Sequence, residues 1–138
     1  MEHYVEWKPF YSVGDTVIDD QHRRLLGMID DLYVATQMGH DPARVRAVVE
    51  RLVEYTMTHF EHEERVMWEC GYPDFDAHKA LHEEMRRRSL EFQANPQTLS
   101  ENDLLQFVKS WWVRHIQNQD RKYAPYINAI VRQPVKMA

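Results

Sequence analysis

The stretch Arg46–Met67, RAVVERLVEYTMTHFEHEERVM, begins as an ordinary amphipathic helix and ends with two histidines and three glutamates within six residues. Val48, Leu52 and Thr56 recur at helical spacing, and the same stripe continues through His59, Glu63 and Met67. A helix of this period buries one face and solvates the other. His59 and Glu63 are therefore expected to point inward. Glu61, His62 and Glu64 leave the stripe, His62 by about 100° from Glu63, and are expected at the surface.

The residues on either side predict three more helices. Asp41-Pro42 opens the long one, an N-cap followed by proline at the first helical position, with Val45 on its inward stripe. Gly71 and Pro73 should end it. Upstream, Ile18, Leu25, Ile29, Leu32 and Thr36 predict a helix from Thr16 or Asp19 to near Gly39. Downstream, Asp74 is positioned to cap a helix whose inward stripe is Phe75, His78, His82, Met85, Ser89 and Phe92, stopped by Asn95-Pro96. Ser100, three before Asp103, opens a fourth with Leu104, Val108, Trp111 or Trp112, and His115 inward. Pro125 is expected to break that pattern, leaving a short helical piece to about residue 132 and a frayed tail over 133–138. Residues 1–15 show no sustained period and are expected to form an arm laid over the domain. His3 in the arm and His40 in a loop are expected at the surface. The fold class predicted is all-α: an antiparallel up-down-up-down four-helix bundle with an N-terminal arm and a short C-terminal helix, in one domain spanning 1–138.

Composition is 43% hydrophobic and 28% charged with four glycines, which suits a folded, helix-rich protein. A formal charge of -5 argues against a nucleic-acid surface. Arg86-Arg87-Arg88 is the one basic cluster, and three successive positions on a helix cannot share a face, so it is expected to be solvated. Neither a basic leader nor the roughly 20 apolar residues of a membrane span is present; the expected location is cytoplasmic, without membrane insertion. The single Cys70 cannot form an internal disulfide and is expected to be an inert thiol.

Eight histidines in 138 residues stand out, and their positions matter more than their number. Each predicted helix carries at least one on its inward stripe: His22, His59, the pair His78 and His82, and His115. Any one alone is more simply a hydrogen-bonded core residue. Five of them with Glu63 are another matter, because burying each without a partner costs a few kcal/mol against a total stability of roughly 5 to 15 kcal/mol. Metal satisfies them together. The set is too large for one four-coordinate zinc, which implies two ions. His62-Glu63 and His82-Glu83 lead to Val66 and to Met85-Arg86 rather than to a second histidine, so the zinc-protease motif is absent. No glutamate stands three before a histidine, so the Glu-x-x-His pair of ferritin-like sites is absent too.

Taken together, Trp7, Val13-Gly14, Asp19-Asp-Gln-His22, His59-Phe-x-x-Glu63-Glu-x-x-Met67, Gly71-Tyr-Pro, His78-x-x-x-His82 and Trp112-x-x-His115-Ile-x-x-x-Asp120 resemble the hemerythrins, specifically the single-domain bacteriohemerythrins, over nearly the whole chain. The resemblance adds Asp120 to the site. On a regular α-helix a spacing of five sets it about 140° around from His115, so the helix end is expected to bend or the side chain to reach across. The resemblance implies two irons bridged by an oxo or hydroxo group and by Glu63 and Asp120. It assigns His78, His82 and His115 to one iron, and His22 and His59 to the other. The second iron then has five ligands, and dioxygen is implied to bind reversibly there, for storage, delivery or sensing. Nitric oxide is an implied competitor, and an oxygen-consuming enzyme or a signalling protein an implied partner. The alternatives are a di-iron oxidase or peroxidase and a metal-containing sensory module. Leu25, Leu26, Ile29, Phe60, Met67 and Trp111 or Trp112 are expected to exclude water. No residue stands out as a general acid or substrate-orienting group, which favours a carrier over an enzyme.

Overall fold

A computed structural model describes residues 4–38, 41–95 and 100–132, with side chains to Asn128. The expectations for His3, Gly39, His40, Pro96 and the tail lie outside them. Five α-helices follow in chain order: α1 Thr16–Gln37, α2 Pro42–Glu69, α3 Phe75–Ala94, α4 Glu101–Arg114 and α5 Arg121–Arg132. A short 3-10 turn, Pro9–Tyr11, precedes α1, and a π turn, His115–Asp120, joins α4 to α5. Among the described residues there is no strand, and no helix is long and apolar enough to cross a membrane.

Local chemistry sets most helix ends. The Asp15 carboxylate accepts from the backbone N–H groups of Val17 and Ile18, that of Asp41 from Ala43, and the Ser100 hydroxyl from Asp103. Asp74 occupies the N-cap of α3, but its side chain makes no capping hydrogen bond. Helix α2 ends in a left-handed turn: Gly71 has φ +70°, its N–H reaches the Trp68 carbonyl, and the Tyr72 N–H reaches that of Met67. Tyr72 and Met67 then pack in one apolar cluster.

The directions of the first four helices follow from which residues meet. His22 lies against Asp120 and Gln37 against Asn102, so α1 and α4 run oppositely. Trp68 meets Phe75 and Glu64 meets Arg86, which makes α2 and α3 antiparallel. His82 meets His115 and Arg88 meets Phe107, which does the same for α3 and α4. The result is the expected bundle.

Apolar side chains segregate to two levels along it. One cluster contains Leu25, Leu26, Ile29, Leu52, Met85, Val108 and Trp112. The other contains Val13, Ile18, Met67, Tyr72, Tyr123 and Ile127. Along α1 the buried His22 falls between Ile18 of one level and Leu25 of the other, along α2 His59 and Glu63 fall between Leu52 and Met67, and His115 and Asp120 fall between Trp112 and Tyr123. The arm is tied down mainly through aromatic rings: Lys109 lies over Tyr4 at 4.2 Å, Arg23 over Trp7 at 4.6 Å and Arg121 over Phe10 at 4.0 Å. Asp19, itself buried, accepts from the Ser12 hydroxyl and the Val13 N–H.

Pro125 does not break the helix; it sits inside α5. It removes one backbone bond, to Arg121, but buried Tyr123 and Ile127 on either side hold the segment against the core, and packing outweighs the lost bond. The departure from α geometry occurs upstream instead, at the π turn. For the α2 terminus, Gly71→Ala is expected to lower stability by about 1–2 kcal/mol, because a Cβ is disfavoured at positive φ. Urea unfolding of the metal-free protein should show this as a lower midpoint with an unchanged slope.

Candidate metal centre

Seven buried side chains meet between the two apolar levels: His22 from α1, His59 and Glu63 from α2, His78 and His82 from α3, and His115 and Asp120 from the π turn. Their ligand atoms form two groups. Glu63, His78, His82, His115 and Asp120 lie within 4.8 Å of one another, as do His22, His59, Glu63 and Asp120. The carboxylates belong to both, one oxygen facing each way. Glu63 Oε1 is 2.9 Å from His78 Nε2 and 3.1 Å from His82 Nε2, while its Oε2 is 2.9 Å from His59 Nε2. Asp120 Oδ1 is 3.0 Å from both His78 and His115, and its Oδ2 is 3.0 Å from His22.

The π turn explains how Asp120 joins. In an α-helix a residue five positions on from His115 faces away, but i→i+5 hydrogen bonding widens the turn and brings it back above the first. His115 and Asp120 are the first and last residues of that turn. The bend expected from the spacing is thus an added residue in one turn.

These atoms fit metal better than they fit one another. Nε2 of His22 stands 3.1 Å from that of His59, and Nε2 of His115 stands 3.1 Å from those of both His78 and His82. Both Asp120 oxygens are buried and, among the described residues, lack correctly directed hydrogen bonds despite their short distances to histidine. The donors aim at shared points in space. Imidazole and carboxylate together suit first-row transition ions.

Without metal, the same crowding distorts protonation. Burial disfavours charge on His22 and His78, but the Asp120 and Glu63 carboxylates outweigh it and push both up to about 9. His115 is raised against its burial by Asp120 and Glu63. Burial wins at His59, which is lowered despite Glu63. Burial opposes ionisation of Glu63 and Asp120 too, yet the histidines hold both below the usual carboxylate range. Burial, with Glu63 and Asp120 nearby, raises Tyr123 well above its ordinary value.

Several polar neighbours support the seven. Tyr123, fully buried, donates its hydroxyl to Glu63 Oε2 at 3.2 Å. Its position three after Asp120 is the one sequence signal for it. Gln21 Oε1 lies 2.7 Å from His59 Nδ1. Glu64, expected at the surface, is instead half-buried, 3.0 Å from His82 Nδ1 and bonded to Arg86 at 2.5 Å. Burial opposes its ionisation, but His82 and Arg86 hold its pKa down. Arg86 is likewise drawn in rather than solvated, whereas Arg87 and Arg88 are exposed. His62 is half-buried, not at the surface; its Nε2 has no partner among the described residues, and it does not join the centre. Glu61 is exposed as expected. The apolar neighbours Leu25, Leu26, Ile29, Phe60, Met67 and Trp112 are all buried, Phe60 stacking on His82 at 3.9 Å. Trp111 is half-buried and stacks on His115 at 4.4 Å.

The family described as "Hemerythrin HHE cation binding domain" matches residues 13–127. A bacteriohemerythrin of Stenotrophomonas maltophilia is 36% identical over 129 residues, covering 92% of this chain and 84% of that protein. One of Pseudomonas aeruginosa is 36% identical over 138 residues, covering 99% and 89%. A crystal structure of wild-type hemerythrin superposes with a TM-score of 0.83 at 27% identity, covering 90% of this chain and 98% of that one.

The shifts at His22 and His78 give the metal-free protein a definite pH dependence. Both are raised from 6.5 to about 9, so their contribution to stability is complete below pH 6.5 and is lost as pH rises through 9. Glu63 and Asp120, both depressed, contribute above their unfolded values and lose that contribution in acid. Unfolding midpoints in chelator should therefore fall between pH 6.5 and 9. With a bound divalent cation the slope over this window should reverse, because binding displaces imidazole protons. Identical profiles with and without metal would contradict the coupling.

Proposed function

Because the chain belongs to the hemerythrin family, we propose that its seven convergent side chains hold two non-haem irons and that the protein reversibly binds dioxygen at one of them. The observation that carries this reading is the unequal division of nitrogen donors around two shared carboxylates: three histidines on one side, two on the other. His78, His82 and His115 would hold one ion, His22 and His59 the other. Glu63 and Asp120 would bridge them together with a solvent-derived oxo or hydroxo group. That leaves the ion beside His22 and His59 one protein ligand short. When bound, the two irons supply the electrons that dioxygen takes up and gives back.

The chain's own residues supply the rest. Leu25, Leu26, Ile29, Phe60 and Trp112 close one level, and Met67, Tyr72 and Tyr123 the other, all buried. Such walls keep water from the site and so slow irreversible oxidation. The Tyr123 hydroxyl is committed to Glu63 and fixes that bridging carboxylate. Apolar walls and a committed hydroxyl favour a carrier over a di-iron oxidase or peroxidase. The proposed working unit is one domain over residues 1–138 in the cytoplasm, serving storage, delivery or sensing. Nitric oxide would compete for the same position, and an oxygen-consuming enzyme or a signalling protein would be the recipient.

Anaerobic loading with Fe(II), then cycles of oxygenation and deoxygenation followed by absorption spectroscopy, tests the reading. Two irons per chain and return of the diferrous spectrum through repeated cycles are expected. Oxidised iron and released peroxide after one exposure would favour the oxidase or peroxidase, and a spectrum indifferent to oxygen would favour a sensory module. His82→Ala should abolish two-iron stoichiometry; a full complement of iron with an unchanged spectrum would refute the ligand assignment.

A further inference from the structure

Each group of donors contains a histidine whose outward ring nitrogen is gripped from outside the centre, and the two grips differ in charge. His82 Nδ1 lies 3.0 Å from Glu64 Oε2, which also accepts from Arg86 Nη2 at 2.5 Å. A carboxylate paired with guanidinium stays ionised and can only accept, so Nδ1 must donate. With Nδ1 held outward in this way, Nε2 is the nitrogen that faces inward, toward Glu63 and His115, and is the one left to bind metal. Arg86 also lies over the Phe60 ring at 5.3 Å, and Phe60 stacks on His82, so the ring's plane is fixed with its proton. In the other group His59 Nδ1 lies 2.7 Å from Gln21 Oε1, the oxygen of a neutral amide. By contrast, the Nδ1 atoms of His22 and His78 are buried without a partner among the described residues.

We infer that Glu64 and Gln21 are positioning residues that set the His82 and His59 tautomers before metal arrives, and that the ionised partner on His82 makes the three-histidine group the first to fill. This rests on the metal-centre reading above. A histidine hydrogen-bonded to carboxylate is a more basic ligand than one bonded to an amide, and losing such a partner typically costs about 10- to 100-fold in metal affinity. Extra nitrogen and extra basicity act on the same ion. The two ions are held unequally, and the weaker position is the one with fewer donors.

Nitrogen-15 NMR of the metal-free protein tests the first half without iron. Wild type should show the Nδ1–H tautomer at His82. Glu64→Gln should keep it, since the amide oxygen also accepts, whereas Glu64→Ala should give a mixture; Gln21→Ala should do the same at His59 alone. An unchanged His82 tautomer in Glu64→Ala overturns the positioning role, and if that variant fails to fold, loss of the Nδ1–H tautomer in Glu64→Gln overturns it instead. Anaerobic Fe(II) titration tests the second half. Wild type should fill in two steps, Glu64→Gln should weaken the first by about tenfold, and Gln21→Ala should weaken only the second. One cooperative step in wild type, or a Glu64→Gln effect on the second step, overturns the order of filling. Failure of wild type to bind iron at all would sink the metal-centre reading instead, leaving the tautomer result to judge the positioning role.

Discussion

Glu63 and Asp120 are carboxylates with no exposure to solvent, and a charge so placed costs several kcal/mol unless opposite charge and directed donors surround it. Around them the bundle brings five imidazoles, each carboxylate turning one oxygen toward each group. The two apolar levels above and below keep this layer dry, and the dryness in turn raises the cost of any imperfect partner. Proper packing and proper charge balance therefore depend on each other here. Where metal is absent the balance is struck with protons, which is why His22 and His78 are held protonated well above the usual imidazole range.

The helix carrying His115 must satisfy two registers at once. Above the centre Trp112 and Val108 face the core, and below it Tyr123 and Ile127 do. A regular α-helix through both would leave Asp120 turned away from His115. The π turn resolves this by placing both ends of a six-residue segment in the site, where their contacts to His78 and His22 compensate for the irregular backbone. Pro125 is tolerated five residues later for a related reason: Tyr123 and Ile127 on either side are buried, and side-chain packing decides where local propensity would have stopped the helix.

Polarity is also graded outward from the centre. Gln21 and Glu64 are the chain neighbours of His22 and Glu63, yet each serves a histidine on the adjacent helix. The interhelical polar contacts thus tie α1 to α2 and α2 to α3 at the level of the site itself. Arg86 extends the second of these to the bundle surface, where its other partner is the exposed Glu83.

The sequence by itself determined the helices, their inward faces and six of the seven convergent residues, because helical periodicity is a local property that each apolar stripe announces without reference to its neighbours. Asp120 came from family resemblance rather than period, since a π turn breaks the period that would have revealed it. Only the tertiary structure decided that Glu64 and Arg86 lie half-buried, that Tyr123 reaches Glu63, and that Gln21 holds His59. Those positions sit at the edges of their stripes, or beyond the break. Whether an edge residue meets water or a neighbouring helix depends on how closely two helices approach and at what rotation, and a single helix's pattern contains neither.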